Sequence, residues 1–407
     1  MMKITSEKAI ELEAKYGAHN YHPLPVVLSK GQGIYLWSPE GKKYVDFLAG
    51  YSAVNQGHCH PKIVAAMVEQ ASKLTLTSRA FYNDRLGEAE KYVCDFFGYE
   101  KALFMNSGAE ANETALKITR KWAYDVKKIP TNQAKIIALQ SNFHGRTLGV
   151  ISASNDPSST GGFGPYMPGY IVIPYDDLEA LDMALEDPTV AGFWYEPVQG
   201  EAGVVVPSKG YIKKAAELCR KKNVLLLADE IQTGIGRTGK LVACEYEGVR
   251  PDIMILGKSL SGGVMPISVV LADNRVMDVI KPGQHGSTFG GNPLAAHIVI
   301  AALNVVKDEK LVENSFARGE QFRKELSGLK KNPLVRDIRG LGLMNAIEVH
   351  GKPGSKSAWN ICLDLMNEGI LAKPTHETTI RLTPPLIISA AEMSEACEKI
   401  KKVFGAL

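Results

Sequence analysis

Seven short apolar runs between residues 101 and 272 constrain this chain more than any other feature: KALFMN at 101, KIIALQ at 135, YIVI at 170, VAGFWYEP at 190, VLLLAD at 224, IMILG at 253 and ISVVLA at 267. Several are apolar throughout, where a strand with one wet face would alternate, so they read as strands buried on both faces. Amphipathic stretches separate them. The expected fold class is therefore α/β, with a mainly parallel seven-stranded sheet flanked by helices in a large domain over residues 76–310. A short helix capped at Thr5 or Ser6 opens the chain, and residues 26–48 alternate apolar and polar around Gly and Pro as small antiparallel strands do. These belong to an N-terminal segment, 1–75, read as a small lobe that makes dimer contacts and contributes with the C-terminal segment to a small α+β domain. After a helical stretch at 293–307 and a polar linker near 308–314, the order helix, strand (LMNAIEV), helix (358–368), strand, helix makes a small α+β lobe over 311–407. Ligands of such sheets bind beyond the carboxyl ends of the strands, so chemistry is sought there.

The 47 basic and 44 acidic residues leave a net charge of +3 and no sustained basic face, which excludes nucleic acid and a membrane surface as partners and favours small molecules. No apolar run approaches the roughly 20 residues that span a bilayer. The six cysteines lie far apart without zinc-ligand spacing and read as reduced structural thiols. His58 and His60 flank Cys59 beside Pro61 but have no third ligand nearby, so no metal site is expected. The first residues lack the apolar stretch of a signal peptide and carry acidic residues unlike a transit peptide, giving a cytoplasmic address as the expectation.

Three features sit where an apolar run gives way to a loop. Asn106-Ser107-Gly108-Ala109-Glu110 joins KALFM to a helical run, and small residues at a helix N-terminus let backbone N–H groups approach a phosphate. By itself this is equally a tight turn that needs glycine. Asp229 ends VLLLAD; a carboxylate there either caps the next segment, pairs with an arginine, or pairs with the protonated ring nitrogen of pyridoxal phosphate. Lys258 follows IMILG, where its amine either snorkels to solvent or forms a Schiff base with an aldehyde cofactor and shuttles a proton. Together the three favour pyridoxal phosphate.

The chain resembles the class III pyridoxal-phosphate-dependent aminotransferases from Tyr16 to its C-terminus. The resemblance is carried by GAHNYHPLPVVL, YSAVNQGHCHPKI, TLTSRAFYN, MNSGAEANETALK, NFHGRT, EPVQGEAGVVVP, LADEIQTGIGRTG, PDIMILGKSLSGG, HGSTFGGNPLA and ILAKPTH with RLTPPL. It implies a fold-type I transferase that carries pyridoxal phosphate as an aldimine on Lys258, with Asp229 on the ring nitrogen and Gln232 on the phenolic oxygen. It further implies Ser107, Gly108 and Ala109 at the phosphate, Phe143 stacked on the ring, and His144, where the family often has Trp, at the ring's far edge. Thr288 would reach the phosphate of a neighbouring subunit, making a homodimer part of the site.

The first three segments and ILAKPTH point within the family to L-ornithine as amino donor and 2-oxoglutarate as acceptor. Arg146 would then grip the oxo-acid carboxylate next to the reacting carbon and Arg381 the far one. Glu201 would neutralise Arg381 while ornithine reacts, Tyr21 and Arg146 would hold ornithine's α-carboxylate, and Tyr51 would limit the cavity; Glu196 joins the substrate-binding set. Aminotransferases of acetylornithine, 4-aminobutyrate or other ω-amino acids share the cofactor residues and are the alternatives. A mutase, or a non-catalytic binder of the cofactor, is a more distant one.

Overall fold

All seven apolar runs become strands of one sheet. The structure, a computed structural model, describes residues 4–351 and 357–405. The spatial order is Lys101–Met105, Ser268–Ala272, Ile253–Leu256, Leu225–Asp229, Val190–Tyr195, Lys135–Leu139, Tyr170–Ile173. Ser268–Ala272 runs antiparallel to both of its neighbours, and the other ladders are parallel. Every residue of Val190–Tyr195, Leu225–Asp229, Ile253–Leu256 and Ser268–Ala272 is buried, which is why those runs show no alternation. One face is covered by the helix Gly108–Asp125, whose Ala111, Ala115, Ile118 and Trp122 recur at helical spacing and pack with Ile136, Trp194 and Leu227. On the other face the helix Tyr211–Lys221 sets Tyr211, Ile212, Ala215 and Cys219 against Phe193 and Leu226.

The N-terminal strands Lys30–Gln32, Tyr35–Trp37 and Lys43–Asp46 pair antiparallel, and Ile370–Leu371 adds to them in parallel with Lys43–Asp46. The N-terminal segment therefore shares a sheet with the C-terminal one, as a small domain drawn from both ends of the chain requires. A further sheet takes the order Val335–Leu341, Met344–Val349, Thr379–Leu382, Lys373–Thr375. Its first strand, VRDIRGL, is too polar to stand out in the sequence. The polar linker is shorter than expected: helix Pro293–Asp308 hands over to helix Leu311–Glu325 through Glu309 and a left-handed Lys310.

Arg237, fully buried, clasps these parts together. It donates from Nη1 to the carbonyls of Leu343 (2.9 Å) and Pro384 (2.7 Å), and from Nη2 to Asn55 Oδ1. The clasp fixes the C-terminal segment over the carboxyl ends of the large sheet, where two pockets meet.

Candidate active site

The inner pocket is built by strand ends. Leu225–Asp229 delivers Asp229, and Ile253–Leu256 delivers Lys258, while Gly108 and Ala109 form the first turn of the helix that follows Lys101–Met105; all four line one cavity with Phe143 and Gln232. Ser107 caps that helix: its Oγ accepts from the Glu110 N–H at 3.2 Å, and Glu110 returns the bond to the Ser107 N–H at 2.9 Å. Two glycines are required by close approach. A Cβ on Gly145, at φ +135°, would lie 2.8 Å from Ala109 Cβ, and one on Gly200 would lie 1.4 Å from Gln232 Oε1.

Asp229 is buried, and its charge is met by donors on several elements. Oδ2 accepts from Asn112 Nδ2 at 2.8 Å and lies 2.7 Å from His144 Nδ1, and Oδ1 accepts from the Ile231 N–H at 3.1 Å. Beside an ionised carboxylate the proton of His144 belongs on Nδ1. The imidazole stacks on Trp194 with centroids 3.7 Å apart, and Trp194 Nε1 donates to Asn112 Oδ1 at 3.1 Å. Glu196 Oε1 accepts from the Phe143 N–H at 2.8 Å. Burial, reinforced by the charge of Asp229, pushes the Glu196 carboxyl well above the usual range. Burial also lowers the Lys258 amine; Glu201 opposes that, Arg381 adds to it, and Asp229 opposes it.

At Glu201 the inner pocket opens into an outer one lined by Tyr21, Tyr51, Arg146, Lys373 and Arg381. Burial would raise the Glu201 carboxyl, but Arg381 and then Lys258 outweigh it and hold it below its ordinary value. Arg381, 3% exposed, donates from Nη1 to Glu201 Oε1, and Gln232 Nε2 donates to the same oxygen at 3.2 Å. The Arg381 guanidinium lies 5.0 Å from the Tyr51 ring centroid. Arg146 stands on an exposed stretch 5.2 Å from the Phe143 ring, and Tyr21 is 70% exposed at the mouth.

The sequence-expected residues thus divide. Gly108, Ala109, His144, Asp229, Gln232 and Lys258 meet in the inner pocket, and Tyr21, Tyr51, Arg146 and Arg381 in the outer one, with Phe143 and Glu201 in both. Glu196, expected with the substrate residues, lines the inner pocket only. His144, expected at a ring edge, lies against Asp229. Thr288 is exposed and lines neither pocket of its own chain. Asn112 and Trp194 were missed; the one trace of them is a polar Asn on the buried face of an otherwise apolar-faced helix. The cavity offers backbone donors at a helix N-terminus, an aromatic wall, a buried carboxylate opposite and an amine with a lowered pKa. The unpartnered buried Gln232 Oε1 and His144 Nε2 leave polar atoms for a ligand, so these residues fit pyridoxal phosphate.

The chain belongs to the class III aminotransferases: the family described as "Aminotransferase class-III" matches residues 16–404, and with it comes pyridoxal phosphate as cofactor. Over 98% of its length the chain is 60% identical to the mitochondrial ornithine aminotransferase of Drosophila ananassae, covering 91% of that protein. It is 55% identical to the rat mitochondrial enzyme at the same coverages. Among solved structures, the ornithine aminotransferase of Toxoplasma gondii superimposes with a TM-score of 0.96 at 50% identity, over 100% of this chain and 95% of that one. The acetylornithine aminotransferase of Elizabethkingia anophelis gives 0.92 at 54% identity, over 99% and 100%. The cytoplasmic address expected from the first residues is corrected by these relatives: the fly, rat, rice and Arabidopsis proteins are all named mitochondrial. Among the described residues no helix is long and apolar enough to cross a membrane.

Proposed function

We propose that the chain is an ornithine δ-aminotransferase, which moves the δ-amino group of L-ornithine to 2-oxoglutarate. The products are glutamate and glutamate 5-semialdehyde, which cyclises to pyrroline-5-carboxylate. The observation that carries this reading is the Arg381–Glu201 pair at the junction of the two pockets, beside Lys258. A donor whose reacting amine has no carboxylate next to it meets a neutralised arginine there. An oxo acid meets the same arginine once Glu201 turns away. One site thereby serves two unlike substrates in ping-pong order.

Pyridoxal phosphate, held covalently by Lys258, supplies the electron sink for the amine-bearing carbon. The helix N-terminus at Ser107, Gly108 and Ala109 would hold its phosphate, Phe143 its ring, Gln232 its phenolic oxygen and Asp229 its ring nitrogen. Lys258, its amine pKa lowered by burial, moves the proton at the reacting carbon. The two arginines exchange the duties expected of them from sequence. Arg381 is the arginine whose charge acts on Lys258, alongside the carboxylates of Glu201, Asp229 and Glu196, so Arg381 takes the carboxylate beside the reacting carbon. Arg146, at the outer pocket, takes the far carboxylate with Tyr21, and Tyr51 narrows the passage between. A homodimer completes the site by bringing Thr288 of one subunit to the phosphate of the other; the exposed Phe81, Tyr82 and Phe289 suit such a contact.

The test is spectroscopic. L-Ornithine alone should bleach the cofactor band, and 2-oxoglutarate should restore it, with pyrroline-5-carboxylate trapped by o-aminobenzaldehyde. N-Acetylornithine and 4-aminobutyrate are run in parallel. The 54%-identical acetylornithine aminotransferase favours N-acetylornithine as the second reading. Turnover of N-acetylornithine without ornithine would decide for it.

A further inference from the structure

Lys373 belongs to none of the duties above, yet the fold holds it in the outer pocket at a local cost. It starts the strand Lys373–Thr375, and in the antiparallel ladder its direct cross-strand partner is Arg381. Directly opposed residues point to the same face, so two cations are placed side by side, an arrangement that destabilises a sheet. Arg381 is relieved by Glu201. Lys373 has no ion pair or hydrogen bond among the described residues; its ammonium rests 5.5 Å from the Tyr21 ring centroid and 5.8 Å from that of Tyr51. The two tyrosines supply π-faces, which orient an ammonium without cancelling its charge.

The remaining charges of the pocket sharpen the point. Arg146 acts on Asp156, whose carboxyl burial would raise but which Ser158, Ser159 and Arg146 together hold down and ionised. Among the described residues Arg381 is the one cation of this pocket held in an ion pair, with Glu201, whereas Arg146 acts on Asp156 only at longer range and Lys373 has no carboxylate in contact, so these two charges are left for a ligand. Beside it Thr375 Oγ1 is buried without a hydrogen-bond partner and lines the same pocket.

We propose that Lys373 is a substrate-binding residue that recognises, with Arg146, the carboxylate at the end of the substrate away from Lys258. In the ornithine reading, on which this rests, that group is the α-carboxylate of the donor. The unneutralised ammonium also makes the pocket repel a cationic tail that lacks a carboxylate, so it selects amino acids over plain diamines.

The experiment compares L-ornithine with 1,4-diaminobutane, the same diamine without its carboxylate. The second-order constant for bleaching the holoenzyme's cofactor band is measured for wild type, Lys373→Met and Lys373→Arg, with circular dichroism and cofactor content as controls of folding. We expect Lys373→Met to lose at least tenfold on ornithine through weaker binding, with the limiting rate at saturation little changed. The constant for 1,4-diaminobutane should hold or rise, and Lys373→Arg should recover most of the ornithine reaction. A role confined to supporting Tyr21 and Tyr51 would depress both amines together. That outcome, an unaffected ornithine constant, or an arginine variant no better than methionine would overturn the proposal. A wild-type protein that fails to react with ornithine would instead refute the ornithine reading, and this proposal with it.

Discussion

Replacing Glu201 by Gln keeps the shape of the side chain and an oxygen for Arg381 but removes the charge that balances it. Two unit charges about 4 Å apart interact by about 4 kcal/mol at an effective dielectric near 20. Glu201 is 27% exposed against 4% for Arg381, so water screens part of this. Halving the figure leaves about 2 kcal/mol, or roughly 30-fold in a rate or binding constant. The sign depends on the substrate. Ornithine brings no carboxylate to the reacting end and must now enter beside a bare guanidinium, so its half-reaction should slow by about 30-fold. Glutamate carries its α-carboxylate next to the reacting amine and finds Arg381 already free, so it should improve as a donor by a similar factor. Single-turnover bleaching of the cofactor band, measured for each donor across concentration, reads both constants on the same preparation. A preference moved by roughly 10²- to 10³-fold toward glutamate supports the gate, on the same 2 kcal/mol applied twice. An equal fall for both donors would show that Glu201 only holds Gln232 and Arg381 in place, and the reasoning would fail.

Three further perturbations test other links. His144→Phe keeps a ring on Trp194 but removes the donor to Asp229; a charge-assisted bond of about 1.5–3 kcal/mol predicts a 10- to 100-fold lower kcat with KM little changed, read by steady-state assay. Arg237→Met leaves the carbonyls of Leu343 and Pro384 and the amide oxygen of Asn55 without their donor, and about 3 kcal/mol of destabilisation should appear in denaturant melts, with cofactor loosened before global unfolding. Asp187 is held down to about 2 by Lys135, then Thr189. A depressed carboxyl stabilises the fold above its unfolded pKa near 4, and the effect is lost as pH falls through about 2. With solvent screening, Asp187→Asn should cost about 1 kcal/mol at neutral pH and nothing at the acid end of a pH-dependent melt.

The parts of this fold that the sequence displays are those in which a residue's neighbours along the chain decide its environment. The buried strands announce themselves because both faces are dry, and Asp229 and Lys258 stand out because a charge at the end of such a strand is unexpected. Val335–Leu341 is hidden because only Val335 and Ile338 of its side chains are buried and the rest are partly or fully exposed: Arg339 reaches the Gly203 carbonyl at 2.8 Å and Glu348. Nor can spacing reveal that Asn112, His144 and Trp194, from three separate segments, close around one carboxylate. The exchange of duties we propose between Arg146 and Arg381 has the same origin, since which arginine lies near Lys258 depends on how the C-terminal sheet is laid over the large one.

Backbone strain is the most deeply hidden element, and it falls where the chemistry is placed. Ala49, Gly50, Tyr51 and Ser52 run consecutively at φ 50°, 56°, 59° and 69°, and Lys258 itself sits at φ 45°. Only Gly50 adopts this region freely; the other three cost roughly 1–2 kcal/mol each. Asp46 offsets part of that by accepting from the N–H groups of Leu48 (2.8 Å) and Ala49 (2.9 Å), while its other oxygen binds His58 Nε2 at 2.7 Å. What the strain achieves is the position of one ring: Tyr51 is turned out of the N-terminal segment to lie between Arg381 and Lys373. A regular right-handed turn over the same residues would carry that ring elsewhere. The narrowing of the outer pocket is therefore set by backbone conformation as much as by the choice of tyrosine, and a substitution such as Asp46→Asn, distant from any substrate, should act on donor selectivity through it.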